Sequence, residues 1–425
     1  MSLRTFLHDS RHVQRDAFVY NGVATGLFAL QSLVMLLVTQ NVLGETAAGM
    51  VSIGLAVAVL MGCIGTFGVA RYQASDVAAR FSFAEYAGAR VVTIGAMWVA
   101  VAVYLLVKAY EPGKSWVILL FCLLKTVDVA EDVVLTHFQQ QGRLDIGSRA
   151  SAIRYAVSII VFTGAILVSR DLVGSLVVTV VVTGVVLGLL VRLQLRGGVT
   201  AEMRRFGYKA VARLLGACSG LFVAWFLAIY VNNAARYAID AQMDDVAQAV
   251  FGFLSMPTFV VSLAAVLIFN PVVHRLSVMW QAGERGRLAR WVGAIAAAII
   301  GVGAVVAVGG YVVGLPLLSW LYATDLSAYL GPLMILLLAG TFVALAGFFY
   351  TVLTILRKQV LVASGYVAVS LFAVLAGGAW VRTAGLTGAS WLYAVMTGAL
   401  VVIFGVGIGW TLVRRPTGAT GSSAD

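Results

Sequence analysis

Charge is scarce in this chain. Only 11% of its 425 residues are Asp, Glu, Lys or Arg, while 61% are hydrophobic and the mean hydropathy is +0.98. Soluble domains carry about 25% charged and about 45–50% apolar residues, so this composition excludes a soluble globular protein and places the chain in a bilayer. Cysteine is also rare. Cys63, Cys122 and Cys218 each sit in an apolar run and none forms a CxxC pair, which leaves no disulfide framework and no cysteine metal site. No G-x-x-x-x-G-K-[ST] phosphate loop, HExxH or GxSxG occurs, so no ATP motor, zincin or serine-hydrolase site is expected, and no cofactor. His8 and His12 stand four apart in a charged terminus, too little to predict a metal site. The loops are short, with no room for a catalytic domain. The opening "MSLRTFLHDSRHVQRD" lacks the apolar core and small-residue site of a cleavable leader, so the first apolar run is expected to stay as a span.

What is present is a succession of long apolar runs, at about 17–40, 47–70, 90–109, 115–136, 150–169, 172–194, 211–235, 246–270, 289–313, 328–350, 359–380 and 386–413. Lipid cannot satisfy backbone polar groups, so such runs are helices or barrel strands, and these are too long for strands. The predicted fold class is an all-α polytopic membrane protein of about 12 transmembrane helices. The basic residues set its orientation. Of the 29 Lys and Arg, Lys108, Lys114, Arg170, Arg236 and Arg382 fall on one side, Lys125 falls within a span, and the rest fall on the other side. By the positive-inside rule both termini are cytoplasmic, in a multi-pass protein of the cell membrane. The net charge of +11 is explained by that rule and does not call for a nucleic-acid partner.

The basic loop at about 195–210 divides the spans six and six, giving an N-terminal bundle at 1–200, a C-terminal bundle at 201–415 and a small, polar, disordered tail at 416–425. Spans 2 and 8 are weakly alike, as in the internal repeats of secondary transporters. The segments "RYQASDVAARFSFAEYAGAR" and "HRLSVMWQAGERGRLARW" are basic and amphipathic and predict helices on the inner leaflet.

Span 4 is the exception to the apolar pattern. Lys125 lies roughly 15 Å deep at 1.5 Å per residue. Asp128, Glu131 and Asp132 follow toward the cytoplasm. At about 100° per residue, Lys125, Asp128, Asp132, Thr136 and Gln139 share an arc of about 80°, and Glu131 lies about 60° outside it on the Asp128 side. A charge at the bilayer centre costs at least about 2.5–3.5 kcal/mol on insertion scales. Two readings stand: an ion pair of Lys125 with Asp128 or Asp132, or the wall of a water-filled cavity, since one lysine does not neutralise three acids. In the second, Asp128, Glu131 and Asp132 are candidates to take up H⁺ or Na⁺. In span 7, Asn232, Arg236 and Asp240 share a face, either as a polar site or as an outer cap. In span 1, Asn21 and Thr25 belong to a polar stripe that bonds neighbouring helices or lines a cavity. Arg149 and Arg154 open span 5, where they read chiefly as positive-inside anchors, or else as contacts for a headgroup phosphate.

Several stretches taken together resemble a known family. "LGETAAG" precedes span 2 and "FGVARYQASD" closes it; "KTVDVAEDVVLTHFQQQGRLDIG", "VNNAARYAID" and "FGFLSMPTFVVSLAAVLIFNPVV" follow in order. Their order and spacing resemble the Wzx-type polysaccharide flippases of the multidrug/oligosaccharidyl-lipid/polysaccharide exporter superfamily. Asn21 matches an asparagine of that family, and Ala235 stands where its Asn-x-Pro-Arg-Tyr motif has proline. The resemblance implies two six-helix bundles around a central cavity. It also implies alternating access that flips polyprenyl-pyrophosphate-linked oligosaccharide for lipopolysaccharide or other surface polysaccharide, beside a polymerase or glycosyltransferases. Lys125, Arg236, Asn232, Asn21, Thr25 and Arg154 are then the candidate substrate contacts. The alternatives are a cation-coupled drug or small-solute antiporter on the same scaffold and, less well matched, a membrane enzyme of polymer assembly.

Overall fold

The computed structural model describes residues 3–8, 12–76, 78, 80–195 and 207–413. Among these the chain is helical throughout, with no strand. The helices are α1 (Leu3–His8), α2 (Val13–Leu43), α3 (Glu45–Thr66), α4 (Val69–Ser75), α5 (Phe83–Lys108), α6 (Pro112–Gln140), α7 (Leu144–Ser169), α8 (Leu172–Gln194), α9 (Tyr208–Gln242), α10 (Asp245–Ser255), α11 (Thr258–Phe269), α12 (Val273–Gln281), α13 (Arg285–Gly309), α14 (Leu315–Tyr322), α15 (Leu330–Ile355) and α16 (Gln359–Val413). Ten helical stretches are long and apolar enough to cross a membrane. The charged α6 is a 29-residue helix of spanning length, and α16 is two helices joined at Gly385, whose φ of 55° breaks the helical path. Adding α6 and the second half of α16 brings the ten to the expected twelve.

Local signals set the boundaries. Ser82 and Glu85 form a reciprocal capping box at the start of α5, which satisfies two of the helix's unpaired amide donors. Asp171 caps α8 through the Val173 and Gly174 amides. The capping box starts α5 well before the apolar run at 90, so "RYQASDVAARFSFAEYAGAR" is not one surface helix. Its first part is the short α4, a turn follows, and Tyr86 and Arg90 are buried in α5. That turn is organised by Asp76, whose carboxylate accepts from the Arg80 and Phe81 amides and the Tyr86 hydroxyl.

The chain divides into two compact units. The first runs to Gly252 and takes in Leu321–Ala323; the second comprises Phe253–Trp320 and the chain from Thr324 on. Packing therefore groups α9 and most of α10 with the first unit. The loop that suggested a boundary at 200/201 lies largely outside the described residues, as does the tail at 416–425. Within the first unit, α2 packs on α7, α3 on α5 and α6, and α7 on α8. Helix α3 is largely buried, and its glycines let α6 approach. A Cβ at Gly62 would stand 2.8 Å from Cγ of Lys125. In the second unit α15 packs against α11, α13 and α16.

Candidate functional site

The polar interior of the first unit draws on five helices. From α6, Lys125 Nζ donates to Asp128 Oδ2 at 3.1 Å and lies 4.9 Å from the centre of the Phe28 ring on α2. From α7, Arg154 reaches Asp128 Oδ1 at 2.8 Å and Glu131 Oε2 at 2.6 Å, and its guanidinium lies 4.1 Å from the Tyr155 ring centre. Ser151 donates to Glu131 Oε1 at 3.1 Å. From α5, Arg90 donates to Asp132 Oδ2 at 2.8 Å and to the Gly65 carbonyl on α3 at 2.6 Å.

Two expectations change here. Arg154 is not an interface anchor: it is 0% exposed and fixed between two carboxylates. Nor does Lys125 face three acids alone. Arg90 and Arg154 bring the cations to three, equal to Asp128, Glu131 and Asp132. Hydropathy puts both arginines at the surface because the apolar runs start late, at 90 and 150, whereas the helices start at Phe83 and Leu144. The capping box "SFAE" at 82–85 and the spacing of Ser151, Arg154, Tyr155 and Ser158 on one face of α7 are the signals that reveal them.

The network borders a cleft of about 190 Å³. Its lining comes from Asn21, Ala24, Thr25 and Phe28 on α2, Asp128, Glu131, Asp132 and Leu135 on α6, and Ser148, Ser151 and Tyr155 on α7. Asn21 and Thr25 are thus brought to the acids, although the Thr25 hydroxyl is spent on the Asn21 carbonyl, 2.8 Å away. Ser148 Oγ is buried without a hydrogen-bond partner. At about 30 Å³ per water, the cleft has room for an ion and a few waters; a drug-sized ligand needs about 300 Å³ or more.

Arg236 and Asn232 on α9 do not line this cleft. Arg236 is half-buried and Asn232 exposed. Asp240, expected on their face, belongs instead to a cluster at the α5–α6 turn. There it pairs with Lys108 at 3.3 Å and Lys114 at 2.8 Å and accepts from the Tyr110 hydroxyl, while Lys114 also pairs with Asp245 at 2.6 Å. The His8 ring nitrogen is bonded to the Leu193 carbonyl at 3.1 Å, and among the described residues no cluster of His, Cys, Asp and Glu could hold a metal.

With this geometry in place, comparison with known proteins separates fold from family. No protein-family model matches the chain, and no curated protein matches it. Solved structures do. An inward-facing multidrug resistance MATE family transporter of the MOP superfamily matches at 13% identity over 97% of this chain and 94% of its own, with a TM-score of 0.64. A MATE in the bent conformation matches at 13% identity over 96% of each chain, with a TM-score of 0.57. A MATE transporter of Vibrio cholerae in the bent form matches at 13% identity over 92% of this chain and 98% of its own, with a TM-score of 0.53. The fold is that of the MATE transporters: an all-α polytopic membrane fold of two helical units.

Proposed function

We propose that this chain is a membrane transporter that works by alternating access, and that it exchanges a drug or other small solute against a cation. The observation that carries this reading is the cleft of the first unit. It is lined by three carboxylates and by the hydroxyls of Ser148, Ser151, Thr25 and Tyr155, and its 190 Å³ suit an ion with a few waters. The three acids and three cations balance. A proton or Na⁺ entering the cleft leaves one uncompensated positive charge in a low-dielectric interior, a state that favours rearrangement of Lys125, Arg90 or Arg154. That makes cation occupancy and network geometry two descriptions of one equilibrium, which is what coupling requires. The whole-chain likeness to transporters described as multidrug resistance proteins supports the cargo class.

A second reading is favoured by one specific observation. Each carboxylate in the cleft already has a cationic partner, so the cleft is a poor trap for a cationic drug. Cations released from the network suit a pyrophosphate better. This keeps the flipping of polyprenyl-pyrophosphate-linked oligosaccharide, suggested by the sequence resemblance, with Lys125 as the network cation that meets the phosphates.

Purified protein in liposomes separates the two. Under the first reading a fluorescent drug moves only while an H⁺ or Na⁺ gradient is held, and Asp128→Asn alters the pH or Na⁺ dependence. Unchanged dependence in a correctly inserted Asp128→Asn protein removes that carboxylate from coupling. Under the second, drug transport is absent, deleting the gene makes a lipid-linked saccharide accumulate, and Lys125→Ala fails to restore export.

A further inference from the structure

The second unit carries its own cleft, remote in sequence from the acid network and unused by the transport reading. It holds about 330 Å³ and is lined by Arg287, Arg290, Trp291 and Ala294, in the first turns of α13. The local charge is positive. The segment 284–291 carries Arg285, Arg287 and Arg290 and one acid, Glu284, which pairs with Arg287 at 3.0 Å. Among the described residues Arg290 is exposed and has no ion-pair or hydrogen-bond partner. Beyond the arginines the same helix face changes character. Ala294, Ala298 and Gly301 follow at helical spacing and are exposed, and a Cβ at Gly301 would meet nothing within 4 Å. Val305 and Val308 continue the stripe at 73% and 65% exposed. The face therefore has a cationic head, an aromatic at the junction where Trp is favoured at the membrane–water interface, and a shallow apolar track of small residues leading away from it.

We propose that this face of α13 is a binding site for one anionic phospholipid. The headgroup phosphate sits between Arg287 and Arg290 beside Trp291, and an acyl chain lies along Ala294, Ala298 and Gly301. Charge complementarity supplies the phosphate contact. The apolar track selects a lipid over a free anion, because a soluble phosphate uses only the head of the site. Arg290 is the principal contact, since Arg287 is shared with Glu284.

The test is native mass spectrometry of the full-length protein titrated with phosphatidylglycerol or phosphatidylcholine. Arg287→Gln/Arg290→Gln is expected to lower phosphatidylglycerol retention about tenfold, because it removes both guanidiniums that attract the anionic headgroup, and to leave phosphatidylcholine retention unchanged. Ala298→Phe, which fills the track without altering charge, is expected to weaken phosphatidylglycerol as well. Arg357→Gln/Lys358→Gln removes the same charge elsewhere in this unit and is expected to have no effect. Three results overturn the proposal: equal loss in the Arg357/Lys358 control, full competition by inorganic phosphate, or retention unchanged by both the arginine and the Ala298 variants.

Discussion

The two units use the membrane interior differently. In the first, Arg90, Lys125, Asp128, Glu131, Asp132 and Arg154 meet within the bundle. In the second, α11, α14 and α15 contain no Asp, Glu, Lys or Arg, α13 has none after Arg290, and α16 has only Arg382. The second unit packs by close approach without such a network. A Cβ at Gly303 would run into the Thr341 hydroxyl, and one at Gly340 would meet Thr258 Cβ at 2.8 Å. Small residues of this kind drive helix association where lipid removes the hydrophobic contrast. One unit is thus held partly by charges that can be redistributed, the other by contacts that offer a proton nothing to bind.

The sharpest way to break that contrast is to remove its central cation. Arg154→Leu leaves Glu131 buried and Asp128 half-buried, with a net surplus of negative charge. Breaking a buried pair costs about 3–5 kcal/mol, so a large fall in Tm or failure to accumulate in the membrane is expected. Adding Glu131→Gln to Arg154→Leu restores the charge balance and is expected to recover part of the loss. No recovery in the double variant would show that Arg154 acts by packing on Tyr155 rather than by charge.

A pair of glycine substitutions comes next. Gly62→Ala in the first unit places a methyl against the Lys125 stem, and Gly303→Ala in the second places one against Thr341. Overpacking costs about 1–3 kcal/mol at either site, so both variants are expected to lose thermal stability. Only Gly62→Ala is expected to shift the pH dependence of transport, because only it displaces a charge of the network. An equal shift from Gly303→Ala would erase the distinction between the units.

Much of this arrangement was legible in the sequence, up to the choice of partners. The twelve apolar runs follow from backbone satisfaction in lipid, and Gly385 ends the first half of α16 close to where the run at 359–380 stops. The directions of the α6 charges were also legible. Glu131, offset from the arc of Lys125, Asp128 and Asp132, turns to Arg154 and Ser151 on α7, while Asp132 meets Arg90 on α5. Which helix supplies each cation was not legible, because the 3.6-residue period fixes where a side chain points and says nothing of what packs there. Arg90 and Arg154 were hidden for a further reason: hydropathy detects where apolar residues begin, and both arginines sit in polar opening stretches that the capping box and the interior acids draw into the bundle.

Asp76 offers a smaller effect outside the spans. Burial pushes its carboxyl up, but hydrogen bonds from the Arg80 amide, the Tyr86 hydroxyl and the Phe81 amide, with the Arg80 charge, outweigh burial and hold it below the ordinary 3.8. A depressed carboxyl stabilises the folded state fully above its unfolded value and loses that contribution as pH falls through the folded one. Wild-type Tm is therefore expected to carry this contribution unchanged from neutral pH down to about 4 and to lose it only below that. Asp76→Asn is expected to cost about 1 kcal/mol at pH 7 and to flatten the acid limb of the Tm profile. An acid limb identical to wild type would show that the turn is held by other contacts.

The least effect is expected where the second unit does carry an ion pair. Glu284 and Arg287 are 44% and 58% exposed, and such pairs contribute about 0–1 kcal/mol because water and salt screen them. Glu284→Gln is expected to leave Tm nearly unchanged, in contrast to the loss from Arg154→Leu. Its consequence should lie elsewhere: freeing Arg287 from its neighbour leaves both arginines of the α13 cleft available, so phosphatidylglycerol retention is expected to rise while stability stays level. A Tm fall comparable to that of Arg154→Leu would mean that surface charge in the second unit carries structural weight. That result would break the division between a unit held by its charges and a unit held by its packing.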